Sequence, residues 1–131
     1  MPVVKPSPDF SRWAQSLSAH ERGSIMRMIG RLRATGLMPK DPELVELVSS
    51  YSLQRRVFTE VGLYVMADLI QSGPGRNRKR WFGISRGLAG DPQGVDMLII
   101  LKAWTSNPAT TLADRLRTET ELKSLADSVC P

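Results

Sequence analysis

Cysteine and histidine are nearly missing from this chain, which carries Cys130 and His20 as the single copy of each. One cysteine next to the C-terminal residue excludes a disulfide framework and a cysteine-based zinc site, and it fits a cytosolic setting. The lone histidine falls in the first turn of an expected helix, so the pattern supports neither a Ser-His-Asp nor a Cys-His centre. Long apolar runs are missing too: the longest, Met97 to Leu101, is far too short to span a bilayer. The Met-Pro-Val-Val-Lys start has too little apolar length for a signal peptide, so no membrane partner is expected. Asp41, Asp91 and Asp96 are scattered around turns, so no carboxylate metal cage is indicated, and no metal or cofactor is expected. Gly73-Pro74-Gly75 precedes basic residues but lacks the Gly-Lys-Ser/Thr ending and the following helix of a phosphate loop.

What is present suits one folded domain spanning 1–131. A chain of 131 residues with 41% apolar and 24% charged residues can bury a core without staples. The formal charge of +5 and a pI near 9.9 favour contact with nucleic acid or an acidic protein. There are no internal repeats and no low-complexity segments.

The order of patterns is helices first and a basic sheet after them. Val3 and Val4 between prolines suit a short edge strand, where a missing ladder donor is tolerated. Either Ser7 or Asp9 caps a helix through Phe10, Trp13 and Leu17. Ser18 and Glu21 form a capping box that opens a second helix. Its stripe is Ile25, Met28, Ile29 and Leu32, its C-cap is Gly36, and Arg27 and Arg31 fall on the opposite face. Glu43 to Val48 reads as a short third helix. From Leu53 the period is two, with Gly62 read as the turn between two strands. Ser72 to Arg80 reads as a loop, Arg80 to Ser85 as a strand, Gly87 to Gly94 as a turn, and Val95 to Trp104 as a central strand. Either Thr110 or Thr111 caps a last helix.

These readings predict an α+β domain: an N-terminal helical hairpin packed on a small, mostly antiparallel curved sheet, with a C-terminal helix. Trp13, Leu17, Ile25, Ile29, Leu32, Leu98, Ile100 and Leu116 are the expected core. In the last helix Leu112 and Leu116 share one face, and Leu122, Leu125 and Val129 share another. The second face is therefore expected to meet a partner or a second copy.

Arg76, Arg78, Lys79, Arg80 and Arg86 fall in a stretch without acidic residues, and such density gathers phosphates. Trp81 and Phe82 follow at once and Trp104 lies further on; all three could stack on bases. Arg76, Arg78, Lys79, Trp81, Arg86 and Trp104 are thus the candidate nucleic-acid contacts, with a solvated loop beside core aromatics as the plainer alternative. Arg55 and Arg56 are adjacent on an expected strand and point to opposite faces, so only one can serve a given site. Lys102 and Trp104 are read on the same strand face as Leu98 and Ile100. Tyr64 is read as core or hairpin surface rather than as a proton donor.

Phe10-x-x-Trp13-x-x-x-Leu17, the helix with Ile25, Ile29, Leu32 and Gly36, the strand around Leu53 to Val57, the apolar strand Met97 to Lys102 and the opening Leu112-Ala113-Asp114-Arg115-Leu116 run in one order. In that order the chain resembles the RelE/ParE superfamily of small bacterial toxins, especially its HigB-like, phage-derived branch. It departs from the family pattern at Leu53-Gln54-Arg55, at Lys102-Ala103-Trp104 and in a basic insertion near 72–94. The resemblance implies the toxin of a type II toxin–antitoxin system in the cytoplasm. It implies either metal-independent, ribosome-dependent mRNA cleavage or gyrase poisoning, with an antitoxin protein as partner in a homodimer or a heteromeric complex. Cleavage needs cations for the phosphorane charge, and Arg55 or Arg56, Arg80 and Lys102 are the expected set. A basic inhibitor or nucleic-acid-binding protein without catalysis is the competing expectation, separated by whether those cations gather around one pocket.

Overall fold

A computed structural model of the chain describes residues 3–37, 43–52, 58–90 and 97–129. Its elements run β1 (Val3–Pro6), α1 (Pro8–Gln15), α2 (Ala19–Thr35), β2 (Leu44–Ser52), β3 (Phe58–Gly73), β4 (Arg76–Gly90), β5 (Met97–Trp104) and α3 (Leu112–Val129). The strands form one sheet in the order β1-β5-β4-β3-β2. Every pairing is antiparallel except β1 with β5. The helical hairpin α1–α2 covers one face and α3 the other, so the α+β class is as expected.

Local chemistry explains the ends of the helices. Ser7 caps α1 by accepting from the Phe10 N–H at 3.1 Å, and its hydroxyl donates to the Leu101 carbonyl at 2.7 Å, tying the helix start to β5. Ser18 accepts from the Glu21 N–H at 3.3 Å to open α2, and Gly36 closes it at φ 68°, where a side chain is strained. Thr111 accepts from the Asp114 N–H at 3.0 Å to open α3.

Two clusters fill the faces. Val4, Phe10, Ile25, Met28, Leu32, Ile70, Phe82, Ile84, Leu98 and Ile100 pack under α1 and α2, with Trp13 and Leu17 at the margin. Val61, Leu63, Val65, Trp81, Met97, Ile99 and Leu101 pack under α3 through Leu122 and Ala126, with Leu125 and Val129 against them.

Several sequence readings need correction. Glu43–Val48 is not a helix, because Leu44–Ser52 is a strand. The irregular register between Glu46 and Val48 breaks the two-residue alternation and turns Leu47 and Val48 to the same cluster, which imitates helical spacing. Gly62 is not a turn. It sits inside β3 opposite Arg86, and a Cβ there would meet the Ser49 carbonyl oxygen and Tyr64 Cε2 at 3.0 Å each. The 72–80 loop is really the tip of the β3–β4 hairpin. Gly73 pairs with Arg76 around Pro74-Gly75, Gly75 taking φ 71° as a type II turn requires. The strand then runs on through Gly87 to Gly90; the rest of that expected turn, 91–94, lies outside the described residues. In α3 the two faces are exchanged relative to expectation. Leu116, expected in the core, is 56% exposed, while Leu122 is fully buried on the chain's own sheet. The Leu122, Leu125 and Val129 face is used internally, because it is the one that meets Trp81, Trp104 and the strand residues beneath.

Candidate nucleic-acid interface

The expected reaction centre of Arg55, Arg56, Arg80 and Lys102 is not gathered in one place. Arg55 and Arg56 lie outside the described residues. Arg80 is only 8% exposed and points under α2, where it donates to Glu21 Oε2 at 3.1 Å. Lys102 points the other way, paired with Glu121 of α3 and set 5.6 Å from the Trp104 ring. The reading that put Lys102 and Trp104 on the Leu98–Ile100 face is thus overturned. Ile84 pairs with Ile100 but Gly83 pairs with Lys102, so Leu101 is the extra residue of a bulge. One inserted residue exchanges the faces of everything after it.

On the α3 face Lys102 lies with three other candidates, Lys79, Trp81 and Trp104. Trp81 and Trp104 are direct cross-strand partners on the α3 face. Lys79 Nζ lies 5.8 Å from the Trp81 ring and is paired with Glu43 at 2.9 Å, mirroring Lys102, Trp104 and Glu121. Trp81 is buried and Trp104 half-buried, so these rings serve mainly as core, and the two lysines cover them with their cations neutralised. The plainer alternative accounts for this pair of tryptophans.

On the other face the helix and hairpin assemble a second, more open region. Arg27 and Arg31 lie one turn apart on α2 and lean sideways over β3 instead of away from the sheet. Arg27 donates to Ser24 Oγ at 2.9 Å and Arg31 to Asp68 Oδ2 at 3.1 Å. Ser24 Oγ also accepts from the Gln71 N–H at 2.8 Å, so α2 is stitched to β3 by backbone and side chain together. A cavity of about 280 Å³ opens here, with Asn77 of the hairpin on its rim. Arg76 and Arg78 stand exposed on the same hairpin.

At the opposite end of α2, Leu37, Leu44, Glu46, Tyr64 and Arg86 line a cavity of about 240 Å³. Gly62 creates the room: two residues from Tyr64 on the same strand face, it lets the Tyr64 ring lie within 3.0 Å of where a Cβ would be. Arg86, the cross-strand partner of Gly62, donates to the Tyr64 phenol. Burial pushes the Tyr64 phenol above its ordinary value and Glu46 adds to this, while the Arg86 charge and hydrogen bond pull it down. At neutral pH the phenol therefore keeps its proton and is a donor. This corner holds a proton donor, a carboxylate and a guanidinium around one cavity. Sequence reasoning had Arg86 as a nucleic-acid contact, set Tyr64 aside and passed over Glu46. The available signal was Gly62-x-Tyr64, a small residue leaving space for an aromatic ring on one strand face.

Among the described residues no group of three His, Cys, Asp or Glu side chains could hold a metal ion, and no helix is long and apolar enough to cross a membrane. No family model, curated protein or solved structure matches the chain.

Proposed function

We propose that the protein is a cytoplasmic toxin that cleaves mRNA without a metal ion, as the component of a toxin–antitoxin pair neutralised by an antitoxin protein. The observation that carries this reading is the Glu46–Tyr64–Arg86 cavity, since it holds the three kinds of group that metal-free RNA cleavage needs. The Glu46 carboxylate accepts the proton of the 2′-hydroxyl. The freed oxygen attacks the adjacent phosphorus, and Arg86 stabilises the negative charge that builds on the phosphoryl oxygens. The Tyr64 phenol gives its proton to the departing 5′-oxygen. The bond formed is 2′-O–P and the bond broken is P–O5′, so the products are a 2′,3′-cyclic phosphate and a 5′-hydroxyl end. The helical hairpin on a mostly antiparallel sheet, which the toxin resemblance implies, also supports the reading.

The test is induction of the wild-type chain in bacteria, with growth followed and RNA 5′ ends mapped. Arrest with new ends inside translated messages is the expected result. Tyr64→Phe and Arg86→Gln should each slow cleavage by about 100-fold or more, the usual contribution of a positioned acid or charge-stabilising donor. Arrest with intact mRNA and damaged DNA would transfer the assignment to gyrase poisoning.

A second reading, a non-catalytic nucleic-acid-binding inhibitor, is favoured by one observation: Arg80 and Lys102 stand on opposite faces, each held by a glutamate. In that case Tyr64→Phe leaves growth inhibition unchanged, while Arg76→Ala with Arg78→Ala weakens it.

A further inference from the structure

The two openings beside α2 share lining residues with a smaller cavity between them, and we read the three together as one groove. Arg31 lines both the cavity beside Arg27 and a narrow middle one of about 70 Å³. Leu37 and Leu44 line both that middle cavity and the one holding Tyr64 and Arg86. The groove follows the flank of α2 from Ser24 to Gly36, about 18 Å at the helical rise per residue. Its chemistry changes along the way. One end carries Arg27 and Arg31, with exposed Arg76 and Arg78 on the neighbouring hairpin. The middle is walled by Leu32, Leu37, Leu44 and Met66. The far end carries Arg86, Tyr64 and Glu46. Among the described residues, Asp68 and Glu46 are the acidic residues lining these cavities, and Asp68 is already held by Arg31. Cation, apolar wall and cation in sequence match the repeating chemistry of a single nucleic-acid strand, whose phosphates alternate with flat bases. A duplex would present phosphates with its bases stacked out of reach of the leucine wall.

We propose that one strand of RNA lies along this groove, with one backbone phosphate on each of Arg27 and Arg31 and an unstacked base against Leu37 and Leu44, while the phosphate to be cleaved sits at Arg86 and Tyr64. The inference rests on the cleavage reading for the role of the far end, but the groove itself makes a binding claim. Recognition is by backbone and apolar contact, so it tolerates different sequences and requires length. A dinucleotide reaches the Tyr64 end alone. A longer strand reaches Arg27 and Arg31 as well.

The test uses the whole protein and fluorescein-labelled oligoribonucleotides made uncleavable by 2′-deoxy substitution, two and eight nucleotides long, with affinity read by anisotropy over a salt series. The longer strand should bind the wild type about tenfold or more tightly than the dinucleotide, because two further phosphate contacts are made. Arg27→Ala with Arg31→Ala should remove that advantage and lower the salt slope by about 1.4, the value for two single-strand phosphate contacts, while dinucleotide binding stays unchanged. Because both arginines also hold α2 to β3, the Arg27→Lys with Arg31→Lys variant is measured beside it and should keep most of the slope. Equal affinity for the two lengths in the wild type, or a length advantage that survives Arg27→Ala with Arg31→Ala, would overturn the groove. Length-dependent binding with no new RNA 5′ ends in induced cells would overturn the catalytic reading and leave the groove standing.

Discussion

Under α1 and α2 the sheet is met by an aromatic cluster and by polar ties, whereas under α3 it is met by one helix face seated in a notch. Phe10, Trp13 and Phe82 pack with ring centroids 5.6–6.1 Å apart, and Glu21–Arg80, Arg31–Asp68 and the Ser24–Gln71 hydrogen bond then hold α2 in a fixed place. On the other side Leu122 lies in the space left by Gly83, where an added Cβ would come within 2.5 Å of Leu122 Cδ2. The first half of α3 rests on little, with Leu112 74% exposed. The face with directional ties keeps a groove open beside its helix, because bonds at defined points hold α2 in place without needing the flank to be filled. The other face depends on closeness and has its cations neutralised over the tryptophans.

The comparison is sharpest for core truncation. Leu32→Ala and Leu122→Ala each remove a fully enclosed side chain and should cost about 2–5 kcal/mol in denaturant unfolding. If α3 is as integral as α2, the two losses are similar; a Leu122→Ala loss below about 1 kcal/mol would mark α3 as an appendage. Arg80→Met tests the polar ties. It strands Glu21 in a half-buried site and should cost about 3 kcal/mol, toward the low end for a broken enclosed pair. Gly83→Ala tests the notch and should cost about 1–3 kcal/mol through overpacking, with loss of near-ultraviolet dichroism from Trp104 as the local marker. Leu116→Ser should change stability by no more than about 0.5 kcal/mol, since that side chain already faces solvent.

The smallest effect is a titration. The raised Tyr64 phenol binds its proton more tightly in the folded protein than in the unfolded chain. The stability tied to it is fully present below the ordinary tyrosine value of about 10 and is lost as pH rises through the higher folded value. Tyr64→Phe should therefore flatten part of the alkaline limb of a stability–pH curve. A limb identical in both proteins would assign the loss elsewhere.

The helices were legible from caps and stripes because each cap uses residues three apart: Ser7 with Phe10, Ser18 with Glu21, Thr111 with Asp114. The strands were legible as apolar runs, and their ends were misread where a glycine had a packing role instead of a turning role, as at Gly62. The candidate site was half legible. Arg86 was singled out for charge, and Arg76, Arg78 and Lys79 for density. Tyr64 was read as core or hairpin surface and Glu46 was passed over, since nothing within either segment signals that β2 and β4 bring Glu46 and Arg86 to the two sides of Tyr64.

The α+β class, the three capped helices and the basic character of the sheet follow from composition, periodicity and capping, all of which act within a few neighbouring residues. Which charges share a face does not follow from them. A single extra residue, Leu101, turns Lys102 and Trp104 away from Ile100 and toward Glu121, and irregular pairing along β2 sends Leu47 and Val48 to one cluster. Those choices are made when strands register against each other and a helix finds the notch at Gly83, so they depend on contacts between residues far apart in the chain.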